Sequence, residues 1–300
     1  MEKYKFNFNK YFKLFNVCSM LLVIISLLLL IFKGLNFGID FKGGTLIELR
    51  SNDKQITISQ IRQSFLNMEL GDVTVKEFGD KNDFLIKFEK KESNDNNLIT
   101  QVKKDLTKSL GAGFNFRRVE NVGPKVSLEL LKSGIIAICL SLTAMLIYIW
   151  IRFEWQFSLG AILALFHDVL LTLGFFSLLN LEINLSIVAA VLTIVGYSMN
   201  DTVVIFDRIR ENLKKYSDII IFDLTNISIN ETLSRTIITS ITTLLALVSI
   251  YVFGGEILKG FSLAMILGVI FGTYSSIYIA NTVLILLNVS QKTILKENKD

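Results

Sequence analysis

Proline, histidine and cysteine are almost missing from this chain of 300 residues, which has one proline, one histidine and two cysteines. So little proline, beside eighteen glycines, leaves long stretches free to run as unkinked helices. One histidine and no Cys/His cluster exclude a haem, an iron–sulfur or a zinc centre, and no metal site is expected. Cys18 and Cys139 both fall in apolar runs, so they are expected as buried free thiols, not as a disulfide. A concentrated basic face with interleaved aromatics is also lacking; the segment that reads as soluble balances acids against bases, which sets nucleic-acid binding aside. There is no nucleophile motif, Walker loop or dinucleotide fingerprint, and Phe41-Lys42-Gly43-Gly44 lacks the phosphate-loop pattern. The chain is therefore not expected to be an enzyme or to carry a cofactor. Work done here must be driven by an ion gradient, with H⁺ as the coupling ion; a transmembrane potential supplies ~2.3 kcal/mol per charge per 100 mV.

What the chain has is apolar length. Half of it is hydrophobic and its mean hydropathy is +0.52, too apolar for a soluble domain of this size. Lys3, Lys5, Lys10 and Lys13 precede an apolar run, Leu14–Phe32. No small-x-small cleavage site follows it, so it reads as a retained first span and not a signal peptide. Five further spans are predicted near Leu130–Ile151, Phe157–Leu179, Ile183–Phe206, Ile229–Phe253 and Phe261–Leu287; each can cross ~30 Å of hydrocarbon. Lys and Arg concentrate in alternate short loops: Arg152, then Arg208, Arg210, Lys214 and Lys215, then Lys292, Lys296 and Lys299 in the tail, against Lys259 alone on the other side. That asymmetry puts both termini in the cytoplasm. Trp150 and Trp155 flank Arg152 as interfacial aromatics.

Between the first and second spans the pattern changes. Thr45–Arg50, Val73–Phe78, Phe84–Phe88 and Phe114–Val119 read as strands, with a turn over Gly79–Asp83. Thr57 and Gln60 form a capping box ahead of a helix with Ile58, Ile61, Phe65 and Leu66 on one face. A second helix carries Leu98, Val102, Leu106 and Leu110 and ends at Gly111 or Gly113. Gly43–Gly44 reads first as a turn or bulge, and Pro124 marks the return to the membrane. The fold class is thus an α-helical polytopic membrane protein with six transmembrane helices and an inserted extracytoplasmic α+β domain of β-α-β-β-α-β, ferredoxin-like order. The boundaries are 1–35 for the N-terminus and first span, 36–127 for the inserted domain, 128–288 for the five-helix bundle and 289–300 for the tail.

Four polar features interrupt the spans. Asn200–Asp201 sits in the fourth; a carboxylate near a bilayer centre costs roughly 2.5–3.5 kcal/mol. By counting, Asp201 is about 9 Å along the helix from Asp207, which reads as a solvated helix end. Arg235 lies in the fifth span at similar depth, nearly two turns into a helix that a Ser228/Glu231 capping box would start at Ile229. Two readings of Asp201 are open: a proton-exchanging group, or one half of a static lock between helices. Arg235 is either its partner or a side chain snorkelling to headgroups. His167–Asp168, in the middle of the third span, is either a satisfied interior pair or a secondary relay, a role also open to Asn200. The fourth feature is a ladder of small residues in the sixth span, Ala264, Gly268, Gly272, Ser276 and Ala280, a face for close helix packing.

Several stretches resemble the SecF branch of the SecD/SecF family, within the resistance-nodulation-division permease superfamily. They are Phe37–Thr45 (FGIDFKGGT), Val122–Pro124 (VGP), His167–Val169 (HDV), Val195–Asn212 (VGYSMNDTVVIFDRIREN), Leu233–Ser240 (LSRTIITS) and Gly272–Ala280 (GTYSSIYIA). The fourth is the longest and most specific. The resemblance implies a subunit of the bacterial inner membrane that pairs with SecD, each supplying half of a pseudo-symmetric bundle, and associates with the SecYEG channel and with YajC and YidC. It implies proton flow through Asp201 and Arg235 that promotes late translocation and release of a preprotein. Two rivals are half of a small-molecule or lipid exporter of the same permease class, and a passive scaffold for the translocon.

Overall fold

The computed structural model describes residues 6–53, 55–68, 70–71, 73–77, 82–88, 95–111, 113–216 and 219–295. Lys3, Lys5, Phe78, the Gly79–Lys81 part of the turn, Lys296 and Lys299 lie outside the described residues, as does the side chain of Leu98. The chain divides into two compact units, one made of Met1–Asn36 with Ile136–Asp300, the other of Phe37–Ile135.

The smaller unit follows from its alternating pattern. Strands β1 (Gly44–Ser51), β2 (Val73–Glu77), β3 (Asp83–Phe88) and β4 (Phe114–Val122) form one sheet with helices α2 (Ile58–Leu66) and α3 (Asp95–Leu110). The sheet order is β2-β3-β1-β4, with β1 antiparallel to both neighbours; with its βαββαβ chain order this is the ferredoxin-like arrangement. Every second residue of β1 and β3 turns inward: Ile47, Leu49, Phe84, Ile86 and Phe88 pack on Ile61, Phe65, Val102 and Leu106. The capping box forms as the sequence predicts, with Thr57 accepting from Gln60 N–H and Gln60 Oε1 accepting from Thr57 N–H at 2.9 Å. Leu66 departs from the expected face and is exposed, because α2 ends there. Helix α3 ends at Leu110, and Gly111 follows at φ +64°.

The glycine pair has a steric reason. Gly43 has φ +80° and Gly44 φ +130°, and a Cβ on Gly44 would lie 2.8 Å from the Phe88 carbonyl oxygen. Only a residue without Cβ lets β1 start this close to β3. On β1 and β3, Arg50 and Asp83 sit directly opposite each other. The guanidinium grips the carboxylate, with Nη2 donating to Oδ2 at 2.6 Å, and Arg117 adds a bond at 3.2 Å.

Six helices of the described residues are long and apolar enough to cross a membrane. They are α1 (Phe12–Phe32), α4 (Pro124–Arg152), α5 (Trp155–Leu178), α6 (Leu185–Lys215), α7 (Ile221–Phe253) and α8 (Gly255–Leu286). In the larger unit α5, α6 and α8 are the buried elements, while α1, α4 and α7 turn many large apolar side chains outward, among them Leu14, Ile31, Leu140, Ile151, Leu245 and Val252. The small-residue ladder lies on α8, where Ala264, Gly268, Gly272, Ser276 and Ala280 are all buried. Its neighbours are identified: a Cβ on Gly268 would strike Ile194, one on Gly272 would come 3.0 Å from Ser198 Cβ, and one on Gly160 of α5 would come 2.7 Å from the Ala280 carbonyl oxygen. The ladder therefore packs against two helices, α6 and α5.

Two expectations need correction. Helix α7 begins at Ile221, two turns before Ile229; Ser228 is inside it and donates to the Leu224 carbonyl at 2.9 Å, so the Ser228/Glu231 capping box does not form. Apolar Ile221 and Leu224 bury into the bundle and carry the helix through that point. Arg235 is consequently about 21 Å from the start of α7 at 1.5 Å per residue. Cys18 and Cys139 are free but exposed, because α1 and α4 turn those faces outward.

Two outcomes follow. Gly268→Val forces α8 off Ile194 and costs about 1–3 kcal/mol by overpacking, read as a lower thermal midpoint of the full chain in detergent. The second concerns acid. The hydrogen bond from Arg50 holds the Asp83 carboxyl below the usual carboxylate range; burial opposes this and the Arg117 charge assists it. A carboxyl depressed in the folded state contributes stability above the unfolded pKa of ~3.9 and loses it as pH falls through its folded value. Asp83→Asn therefore flattens the loss of stability below about pH 4, measured by denaturant titration across pH.

Candidate functional site

Asp201 and its sequence neighbour Asn200 do not face the same way. A helix turns about 100° per residue, so Asp201 shares the inward face of α6 with Ile194, Ser198 and Ile205, and is 3% exposed, while Asn200 is exposed. Asp201 Oδ2 is buried and has no hydrogen-bond partner among the described residues. Burial acts most on the carboxylate, with Thr273 of α8 and the charge of Arg235 on α7 as neighbours acting on it; no hydrogen bond to Asp201 is formed among the described residues. Arg235 itself is on the exposed flank of α7 and makes no direct ion pair with Asp201. The two predicted partners are thus on adjoining helices and are not joined by an ion pair among the described residues.

His167 and Asp168 are both buried on α5, Asp168 completely. Asp168 is the better-bonded carboxylate. Its Oδ1 lies 2.9 Å from His167 Nδ1, and its Oδ2 accepts from Ser198 Oγ of α6 at 2.6 Å and from Ser275 Oγ of α8 at 2.8 Å. The His167 ring stacks on Tyr274, whose hydroxyl donates to the Phe15 carbonyl of α1 at 2.7 Å, and His167 Nε2 is buried without a partner among the described residues.

Five consecutive residues of α8 make most of these links. Gly272 admits Ser198; Thr273 pairs with Ser240 of α7 at 2.8 Å; Tyr274 reaches α1; Ser275 reaches Asp168 on α5; Ser276 pairs with Thr202 of α6 at 2.8 Å. Sequence reasoning picked out Gly272 and Ser276 for their size and missed the hydroxyls of Thr273, Tyr274 and Ser275, along with Ser198, Thr202 and Ser240. The available signal was a run of hydroxyl side chains inside an otherwise apolar span, where each must find a partner within the protein.

The charged ends of α6 and α7 form a separate network. Arg208 bonds Glu231 at 2.7 Å and Glu211 at 2.6 Å, and Asn212 donates to Ser228 and Glu231. Arg210 pairs with the buried Glu154 at 2.8 Å and lies over the Phe153 ring. Asp207 is half-exposed and pairs with Arg152 at 2.8 Å. Of the charges that the sequence assigns to the membrane edge, Arg152, Asp207, Arg208 and Arg210 are engaged in ion pairs between helices.

Known proteins are similar to this chain in sequence and fold. The family model for the C-terminal part of the protein export membrane proteins SecD and SecF matches residues 102–290, and the SecD/SecF GG motif matches residues 28–54. The protein translocase subunit SecF of Rickettsia bellii is 45% identical over 286 residues, covering 94% of this chain and 93% of that protein. Its counterpart in Cereibacter sphaeroides is 43% identical over 290 residues, covering 94% and 89%. The crystal structure of SecDF, a translocon-associated membrane protein from Thermus thermophilus, superposes with a TM-score of 0.84 at 33% identity over 94% of this chain. A second SecDF structure, in a super-membrane-facing form, gives 0.70 over 98%. The chain spans 38% and 40% of those two SecDF chains. On these matches, this chain belongs to the SecD/SecF family of protein export membrane proteins.

Proposed function

We propose that this multi-pass membrane protein is an accessory subunit of the Sec protein-export machinery, and that with SecD it uses the proton gradient to promote late translocation and release of preproteins. The observation that carries the reading is Asp201: a buried carboxylate in an apolar helix whose Oδ2 has no hydrogen-bond partner among the described residues, with an arginine on the next helix. Such a group is costly unless it has a task.

In this reading the ionised Asp201 attracts Arg235, and a proton arriving at Oδ2 neutralises it. Without the attraction, Arg235 and α7 are free to shift, and release of the proton on the other side of the membrane restores the pair. The neighbouring Thr273 hydroxyl can serve both states of the cycle, donating to the carboxylate or accepting from the acid. Preprotein contact falls to the inserted α+β unit on the far side of a bacterial inner membrane, with both termini in the cytoplasm. The partners are SecD and the SecYEG channel, with YajC and YidC as further members of the assembly.

The test is completion of preprotein export into vesicles holding this chain, SecD and SecYEG, with a pH gradient imposed after ATP is exhausted. Asp201→Asn brings completion down to the level seen without a gradient, and Arg235→Gln does the same, while both variants still co-purify with SecD. Equal responses from wild type and Asp201→Asn sink the relay. Loss of co-purification instead favours a scaffold, and a response to sodium alone changes the ion.

A further inference from the structure

We propose that Asp168 is the positioning residue for Asp201: it fastens α5, α6 and α8 into one block, against which α7 makes the movement. The inference rests on the relay reading above and specifies which helices stay together within it.

The bonds of Asp168 come from three helices. His167 belongs to α5, Ser198 to α6 and Ser275 to α8, and both serines converge on the same oxygen, Oδ2, at 2.6 and 2.8 Å. Asp168 has no exposed surface, so water is not a substitute for any of them. Ser198 is three residues before Asp201, hence on the same face of α6 and less than one turn away. Fixing Ser198 fixes the depth and rotation of Asp201. The approach that makes this possible is held open by Gly272, where a Cβ would come 3.0 Å from Ser198 Cβ. A second tie between α6 and α8, Thr202 to Ser276 at 2.8 Å, lies one turn further along.

Helix α7 is bonded differently. Among the described residues its one side-chain bond to α8 is Ser240 to Thr273. Its bonds to α6, Arg208 to Glu231 and Asn212 to Ser228 and Glu231, are all in its first three turns. Beyond them α7 carries Arg235 on an exposed flank. In side-chain hydrogen bonds α7 is thus tied near its start and by one hydroxyl pair farther along, and it is the element the proposal leaves able to shift against the Asp168 block. Among the described residues His167 is the titratable group bonded to Asp168, and Arg235, on the exposed flank of α7, is the charged group acting on Asp201.

The test uses the vesicle assay with the full chain, SecD and SecYEG. Asp168→Asn keeps the shape but places an amide NH₂ or a weaker acceptor before the donors. It is expected to move the pH midpoint of gradient-driven export by at least half a unit, and Ser275→Ala to move it in the same direction. Gly160→Ala, which disturbs the α5–α8 contact away from Asp168, is expected to lower yield without moving the midpoint. If Asp168→Asn leaves the midpoint in place while Asp201→Asn abolishes the gradient response, this inference falls and the relay stands. If Asp201→Asn retains the response, the relay itself has failed.

Should Asp168→Asn not accumulate, a cysteine pair decides, in a chain with Cys18 and Cys139 replaced by alanine. Oxidative linkage of Thr202→Cys to Ser276→Cys, within the block, is expected to leave gradient-driven export intact. Loss of export on linking this pair, with export restored by a reductant, overturns the proposal.

Discussion

Inside a bilayer a carboxylate has only the donors that the protein brings to it, and the helical unit is packed around meeting that demand at Asp168. Three helices contribute one hydrogen bond each, and they reach the same point only because their backbones come unusually close. The small residues of α8 are what permit that approach. Replacing a glycine in the seam is therefore a polar disturbance as well as a steric one: separating α6 from α8 would leave Ser198, Ser275 and Asp168 without one another. Hydroxyl partners and glycine spacing are two aspects of one arrangement.

The contrast with Asp201 is instructive. It is buried less completely than Asp168 and has no hydrogen bond among the described residues, and the cation that acts on it is on the exposed flank of the next helix. One carboxylate is surrounded by fixed donors, the other by a hydroxyl and a charge at a distance. A fully matched buried group rigidifies its surroundings, and an incompletely matched one leaves an arrangement that a single proton can tip. In the proposed cycle the two acids divide those tasks between neighbouring helices.

The fold was largely legible because its signals are periodic and local. The apolar runs, the alternating strands and the Thr57/Gln60 cap each depend on a few adjacent residues. The start of α7 was not: Ser228 and Glu231 have the spacing of a cap, but Ile221 and Leu224 find burial against the bundle and extend the helix past it. The exposed thiols were misread for a similar reason, since an apolar run does not reveal which of its faces is outside. At the site, Asp201, Arg235, His167 and Asp168 stand out as charge in apolar sequence. Ser198, Thr273 and Ser275 do not, because a hydroxyl in a helix can satisfy itself on its own backbone; their importance comes from which residue lies across the gap, which a single sequence does not encode locally. Conversely, Asn200 looks important beside Asp201 and turns away from it.

The first and last strands of the inserted unit end side by side. Gly44, where β1 begins, is paired with Val122, where β4 finishes. Antiparallel partners have Cα atoms about 4.5–5.5 Å apart, so the chain enters and leaves this unit through two adjacent points, with Gly43 and Pro124 as the neighbours on either side. A segment whose ends meet is a module: it can be lengthened, exchanged for another folded domain or cut down to a short loop while the flanking chain keeps its spacing. The glycine pair and the lone proline, some eighty residues apart in sequence, are the two sides of one socket, and what is plugged into that socket can evolve independently of the helices that carry it.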